Sequence, residues 1–263
     1  MKRVALYIIF FTFLSGSIFG QASAILNQTD KNGKKQGYWK RTDQKGKLVY
    51  EGKFVNDKPV GTFKRYDESG KTKSIMEFNP DGKNAKAQLL YENGNKMGEG
   101  RYLDTLKDGT WKYYTEDGVM ISEENYSLGK KEGPHKTFHR NNQLAEEKSW
   151  KNDVEEGTWL AFFEDGKPRA KGKYVHGFLD GEINFYYSNG NPRMKGFYRD
   201  AVRDSLWTYY KENGEVDYTE KYKLGVLKEG GRKEDLLTPQ EIEKDKEDYE
   251  KENEQFQLKP KDE

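Results

Sequence analysis

The stretch that decides the fold is Gly109-Thr110-Trp111-Lys112-Tyr113-Tyr114-Thr115-Glu116-Asp117-Gly118. A short aromatic run ends in an Asp-Gly pair, which tolerates the positive φ that tight hairpin turns require. Steps of 24 residues from Gly109 reach Gly37, Gly61, Ala85, Gly133, Gly157, Gly181 and Ser205 without an insertion. Six of these eight positions are glycine, so the unit is a tandem repeat.

Other columns keep the same step. Two residues after the start lie Trp39, Phe63, Ala87, Trp111, His135, Trp159, Ile183 and Trp207. Five after it lie Thr42, Tyr66, Leu90, Tyr114, Phe138, Phe162, Tyr186 and Tyr210. Nine after it the residue is glycine, except for Asn142. Seventeen after it lie Phe54, Phe78, Tyr102, Tyr126, Trp150, Tyr174, Tyr198 and Tyr222, aromatic in every repeat.

Each unit reads as a β-hairpin. An aromatic first strand meets a turn such as Asn93-Gly94 or Asp165-Gly166, and a second strand runs to the aromatic seventeenth position. A polar stretch such as Asn152-Asp153-Val154-Glu155-Glu156 leads to the next unit. The column glycines Gly61, Gly109, Gly133, Gly157 and Gly181 are expected to supply a positive φ or a close approach where the first strand restarts. Hairpins paired edge to edge give an all-β, elongated, twisted antiparallel sheet of sixteen strands, roughly 75 Å long at ~4.8 Å per strand. The second- and fifth-position columns fall on opposite faces of an ideal strand. Either a bulge brings them together or both faces carry aromatic rows.

The N-terminus reads as a secretory signal. Lys2 and Arg3 precede the apolar run Val4 to Leu14, and small residues follow at Ser15, Gly16 and Ser17. Cleavage after Gly20 or after Ala24 fits, with Gly20 favoured. The expected organisation is a signal over 1–20, a lead-in over 21–36, eight repeats over 37–231 and a charged tail over 232–263. Thr238-Pro239-Gln240-Glu241 is a helix start, and Ile242 to about Gln255 is expected to be helical. That helix either caps the last open edge or is a solvated tail. Export without a single cysteine excludes both a disulfide framework and a lipid-modified cysteine. The expected location is the periplasm, outer envelope or exterior of a bacterium of the Gram-negative type.

Composition narrows function. Hydrophobic residues are 33% and charged residues 35%, yet aromatics reach 14%, which suits a thin strand-rich body. A net charge of +1 gives no reason to expect nucleic acid. His135 and His139 are four apart on a strand, about 13 Å, so they cannot share a metal as a helical pair would. No phosphate loop or nucleophile elbow appears, and the carboxylates lie among lysines as a solvated face would. No enzyme activity, cofactor or metal site is expected. The aromatic rows are the candidate surface: Trp111, Tyr114, Trp159, Phe162, Tyr186, Trp207 and Tyr210 for binding, with Tyr102, Tyr126, Tyr174 and Tyr198 as repeat-building positions. Taken one by one, Trp111, Trp159, Trp207 and the Tyr102, Tyr126, Tyr174 and Tyr198 column read more readily as the thin core.

Tyr50-Glu51-Gly52-Lys53-Phe54, followed by Gly61-Thr62-Phe63, resembles a MORN repeat: Tyr-x-Gly-x-aromatic, then Gly-x-aromatic. The 24-residue unit with its Asn/Asp-Gly turn is similar to bacterial MORN-repeat variants, often grouped as a YwqK-like toxin–antitoxin antitoxin family. The resemblance covers about Gly37 to Gly225. It implies a hairpin solenoid that binds proteins or lipid headgroups. Repeat three departs from the pattern at Ala85 and Ala87, which should weaken its first strand.

The expected function is therefore a non-catalytic scaffold that binds a protein through the sheet. Alternatives are an envelope glycan or peptidoglycan binder, an antitoxin-like inhibitor of an exported toxin, and an adaptor acting through its tail. Two triplets, Asp104-Thr105-Leu106 and Asp204-Ser205-Leu206, resemble the Asp-Ser/Thr-aliphatic O-glycosylation acceptor of some Gram-negative envelope proteins.

Overall fold

The structure is a computed structural model that describes residues 25–231. The signal, both cleavage points, the tail helix and its capping role lie outside the described residues. In chain order the strands are β1 (Gln28–Thr29), β2 (Lys35–Thr42), β3 (Leu48–Val55), β4 (Lys58–Tyr66), β5 (Thr72–Phe78), β6 (Asn84–Leu90), β7 (Lys96–Leu103), β8 (Leu106–Tyr114), β9 (Met120–Ser127) and β10 (Lys130–Lys131). There follow β11 (Gly133–Phe138), β12 (Leu144–Lys151), β13 (Val154–Phe162), β14 (Pro168–Val175), β15 (Phe178–Leu179), β16 (Gly181–Tyr186), β17 (Pro192–Arg199), β18 (Val202–Tyr210), β19 (Val216–Lys223) and β20 (Val226–Gly230).

They form one open antiparallel sheet of 20 strands in which neighbours in sequence are neighbours in space. The sixteen expected strands are all present. The other four are β1, β20, and the two-residue starts β10 and β15 of the first strands in repeats five and seven.

Two kinds of turn alternate. Within a hairpin, Thr115 N–H donates to Val119 O at 2.8 Å and Gly118 N–H to Thr115 O at 2.9 Å. Only the glycine is left-handed, with φ 87°. This is a three-residue loop with a bulge, not the two-residue turn that Asp-Gly suggests. The two-residue turns lie between repeats instead, where both residues have positive φ: Asn56 and Asp57, Asp104 and Thr105, Asn152 and Asp153, Asp200 and Ala201. These turns carry the right-handed twist from one repeat to the next.

The column glycine is a bulge inside the first strand. In β8, Gly109 has φ 73°, and the β7–β8 register slips between Glu99 and Arg101 beside it. Ser205 keeps the left-handed backbone at φ 62°. Repeat three does not have this bulge: β5 and β6 pair in continuous register through Phe78↔Ala85. Its left-handed glycine is displaced into the loop at Gly82, φ 69°. The expectation of a weakened strand is therefore corrected, because Ala85 and Ala87 form a regular, fully buried ladder.

Restoring the repeat's glycine here should do harm. Ala85→Gly is expected to lower stability by about 0.5–1 kcal/mol through backbone entropy. Gly109→Ala should cost about 1–2 kcal/mol, because alanine pays for the left-handed backbone. Thermal unfolding of both variants checks the pair; an Ala85→Gly variant more stable than the parent would contradict this register.

Candidate functional site: the aromatic face and the polar face

Strand alternation sends the second- and fifth-position columns to opposite faces. On the first face a ring at the second position lies over a cross-strand glycine. Gly52 sits beneath Phe63, Gly100 beneath Trp111 and Gly196 beneath Trp207, and a Cβ at any of the three would overlap the ring. Gly172, between Trp159 and Ile183, is less tight, with a Cβ 3.2 Å from Trp159. This fifteenth column escaped the sequence reading because it also holds Met76, Glu124, Lys148 and Glu220.

Rings then join repeats edge to face. Tyr102 meets Trp111 at 4.9 Å and Tyr198 meets Trp207 at 5.0 Å across a repeat boundary, while Tyr174 meets Trp159 at 6.1 Å within one repeat. Tyr126 reaches His135 of the next repeat at 5.8 Å, and His135 reaches Trp150 of its own repeat at 5.6 Å, both at a tilt. Each aromatic pair contributes about 0.5–1.5 kcal/mol beyond its burial. Trp111 is 0% exposed in a cluster with Ala87 and Tyr113, flanked by Met76, Leu89, Tyr102, Ile121 and Tyr126. The small Ala87 belongs to the cluster that encloses this indole.

Cations close the face from above. The Lys107 ammonium lies 5.2 Å from the Trp111 ring centre and donates to Tyr113 Oη at 2.9 Å. The Arg203 guanidinium lies 4.5 Å from Trp207 and donates to the hydroxyls of Tyr209 and Tyr222, each at 3.0 Å. Glu220 accepts from Tyr209 at 2.7 Å, completing the cluster. Burial pulls the Lys148 ammonium down, but Glu146, Tyr174 and Glu155 together raise it. Burial first, and then the Glu124 carboxylate 2.5 Å away, push the Tyr126 hydroxyl far up.

The opposite face is polar. Tyr66 donates to Glu51 and Tyr114 to Glu99, both at 2.6 Å. Lys40 pairs with Glu51 at 3.2 Å and Lys112 with Glu123 at 3.6 Å. Burial, followed by the neighbouring carboxylate, raises Tyr66 and Tyr114 to about 12. The Tyr66 bond holds Glu51 below its ordinary value, and Lys96 with Tyr114 does so for Glu99.

The candidate residues therefore separate. Trp111 and Trp207 are enclosed, and Trp159 is half-buried with Nε1–H donating to Glu146 at 2.7 Å. Tyr114, Phe162, Tyr186 and Tyr210 are half-buried on the polar face, together with Phe138. Tyr102, Tyr126, Tyr174 and Tyr198 are half-buried and help build the core. The ring nitrogens of His135 and His139 are engaged by the carbonyls of Asn125 and Phe162, at 2.8 and 3.0 Å.

The sequence reading also missed the residue before the column glycine. Glu132 accepts Asn152 N–H at 3.0 Å, Glu156 accepts His176 N–H at 2.8 Å, and Asp204 accepts Leu224 N–H at 3.2 Å. Where a carboxylate stands at this position, it joins one repeat to the turn of the next. The Leu224 amide, then Arg199, holds Asp204 low.

Five segments, 59–79, 107–127, 131–152, 155–176 and 179–200, match the family model described as MORN repeat variant. Every match falls in the same phase of the 24-residue unit, from just before the column glycine to the turn after the second strand. No curated protein matches the chain.

Stability should fall at both ends of the pH scale. Lowered carboxylates such as Glu51, Glu99 and Asp204 stabilise the fold above the unfolded range near pH 4, and that contribution is lost as pH falls further. Raised tyrosines contribute fully below about pH 10, and Tyr66 and Tyr114 lose their contribution as pH rises toward about 12. Melting temperature against pH is expected to show a plateau from about pH 5 to 9 with a decline on each side. A melting temperature unchanged from pH 7 to 11.5 would contradict the tyrosine–glutamate pairs.

Proposed function

We propose that this MORN-repeat chain is an exported, non-catalytic scaffold of the cell envelope or exterior that engages a protein partner through its sheet. MORN repeats are generally associated with protein or membrane binding. The carrying observation is the division of the rings. The indoles of Trp111 and Trp207 are consumed inside the aromatic face, while Tyr114, Phe138, Phe162, Tyr186 and Tyr210 are only half-buried on the polar one. They recur once per repeat, about 10 Å apart at two strand spacings. Rigid aromatics set among lysines and glutamates form the kind of extended surface that solenoids use for protein recognition.

The test is affinity capture from envelope extract with mature Gln21–Glu263, with the same chain ending at Gly231, and with a Phe162→Ser/Tyr186→Ser variant. A protein retained by the first two baits and weakened at least tenfold on the third is expected. If that protein is an exported toxin, the scaffold is an antitoxin-like inhibitor. Equal capture by the variant, or loss of the partner on removing the tail alone, would overturn the placement on the sheet.

A further inference from the structure

Asp104-Thr105-Leu106 and Asp204-Ser205-Leu206 are the only places where Asp precedes a serine or threonine in this sequence. The repeat does not account for the coincidence. Thr105 and Ser205 are 100 residues apart, which is not a multiple of 24, and they occupy different columns. Thr105 is the second residue of an inter-repeat turn, and Ser205 is the bulge position where six other repeats place glycine.

The two sites nevertheless share a conformation. Thr105 has φ 74° and Ser205 has φ 62°, and they are the only Ser or Thr with positive φ among the described residues. A β-branched residue seldom adopts this backbone, and every other repeat with the bulge uses glycine there. Retaining a hydroxyl where it strains the chain points to a use for that hydroxyl. Both residues are exposed, as are the leucines that follow them, Leu106 at 45% and Leu206 at 56%. Asp104 lies 3.7 Å from Lys83, and Asp204 is held by Arg199 at 3.1 Å. Each triplet therefore presents an exposed hydroxyl residue between a carboxylate and an exposed leucine, and the Ser205 hydroxyl donates to Asp204 at 3.4 Å.

We infer that Thr105 and Ser205 are O-glycosylation acceptors. The inference rests on the export reading, since it places the chain with an envelope glycosyltransferase. The hydroxyl oxygen bonds to the anomeric carbon of a diphosphate-activated glycosyl donor. The bond from that carbon to the diphosphate oxygen breaks, diphosphate leaves with the electron pair, and the hydroxyl proton passes to a base of the transferase. The glycans would stand on opposite halves of the sheet, at the edge formed by the inter-repeat turns and beside it.

The test is mass spectrometry, intact and after proteolysis, of the full chain recovered from the envelope of the organism that makes it. Thr105→Asn and Ser205→Gly variants are made alongside, because both replacements suit a left-handed backbone and should fold. The expected result is a processed N-terminus, with saccharide mass on the peptides holding Thr105 and Ser205. Each variant loses one of the two additions and keeps the other. A processed chain with no added mass at either residue, or with a phosphate increment instead, overturns this inference and leaves the export reading standing. An unprocessed, unmodified chain overturns both.

Discussion

The structure depends on a ring lying flat where its neighbouring strand has no side chain. Among the described residues no second layer covers the apolar face of the sheet, so burial there is found within the layer. Gly100 removes the Cβ that would occupy the space beneath Trp111, and the indole settles onto the backbone. Tyr102 then meets it edge-on and Lys107 closes the top. The arrangement recurs at Gly196 with Trp207, Tyr198 and Arg203. Each of these rings belongs to the repeat after the one that supplies the glycine, so the contact that buries the ring is also the contact that joins the units.

Both long edges of the sheet are joined as well. Between repeats, turn amides donate to the start of the strand that follows the previous turn, as Gly129 N–H does to Lys107 O at 2.7 Å and Gly225 N–H to Arg203 O at 2.8 Å. At the hairpin tips, Tyr91 and Tyr187 hydroxyls donate to Tyr114 O and Tyr210 O, both at 2.8 Å. Asn95 and Asn189 side-chain amides bridge to Glu116 O and Glu212 O. With the middle and both margins tied only to nearest neighbours, stability is a sum of local terms. A surface held this way keeps the row from Tyr114 to Tyr210 at a constant spacing, which suits an extended partner better than a small ligand.

Much of this was legible in the sequence. The 24-residue step, the column glycines and the aromatic seventeenth column required only that identical residues recur, and they gave the hairpins and their order. The fifteenth column was not legible, because glycine alternates there with Met76, Glu124, Lys148 and Glu220, which face different neighbours. The two-residue turns were obscured because several residue pairs satisfy one backbone geometry, from Asn56-Asp57 to His176-Gly177. The acids before the column glycine looked like solvated charge, although their partners are backbone amides about twenty residues onward. Repeat three was misjudged because a missing glycine suggests damage, whereas the chain moves its left-handed residue to Gly82 and uses the small side chains for packing. For the candidate surface, spacing showed which residues recur, and only the packing separated enclosed indoles from half-buried rings.

The most direct measurement of the central claim is amide hydrogen exchange, resolved by strand, on the parent and on Trp111→Ala. If rings seated on neighbouring glycines hold the sheet together unit by unit, protection should drop in β7, β8 and β9 and fade toward the flanking repeats. Strands β18 and β19, built around Trp207, should be unchanged. A uniform loss of protection from β2 to β19 would show one cooperative block, and it would contradict the nearest-neighbour account.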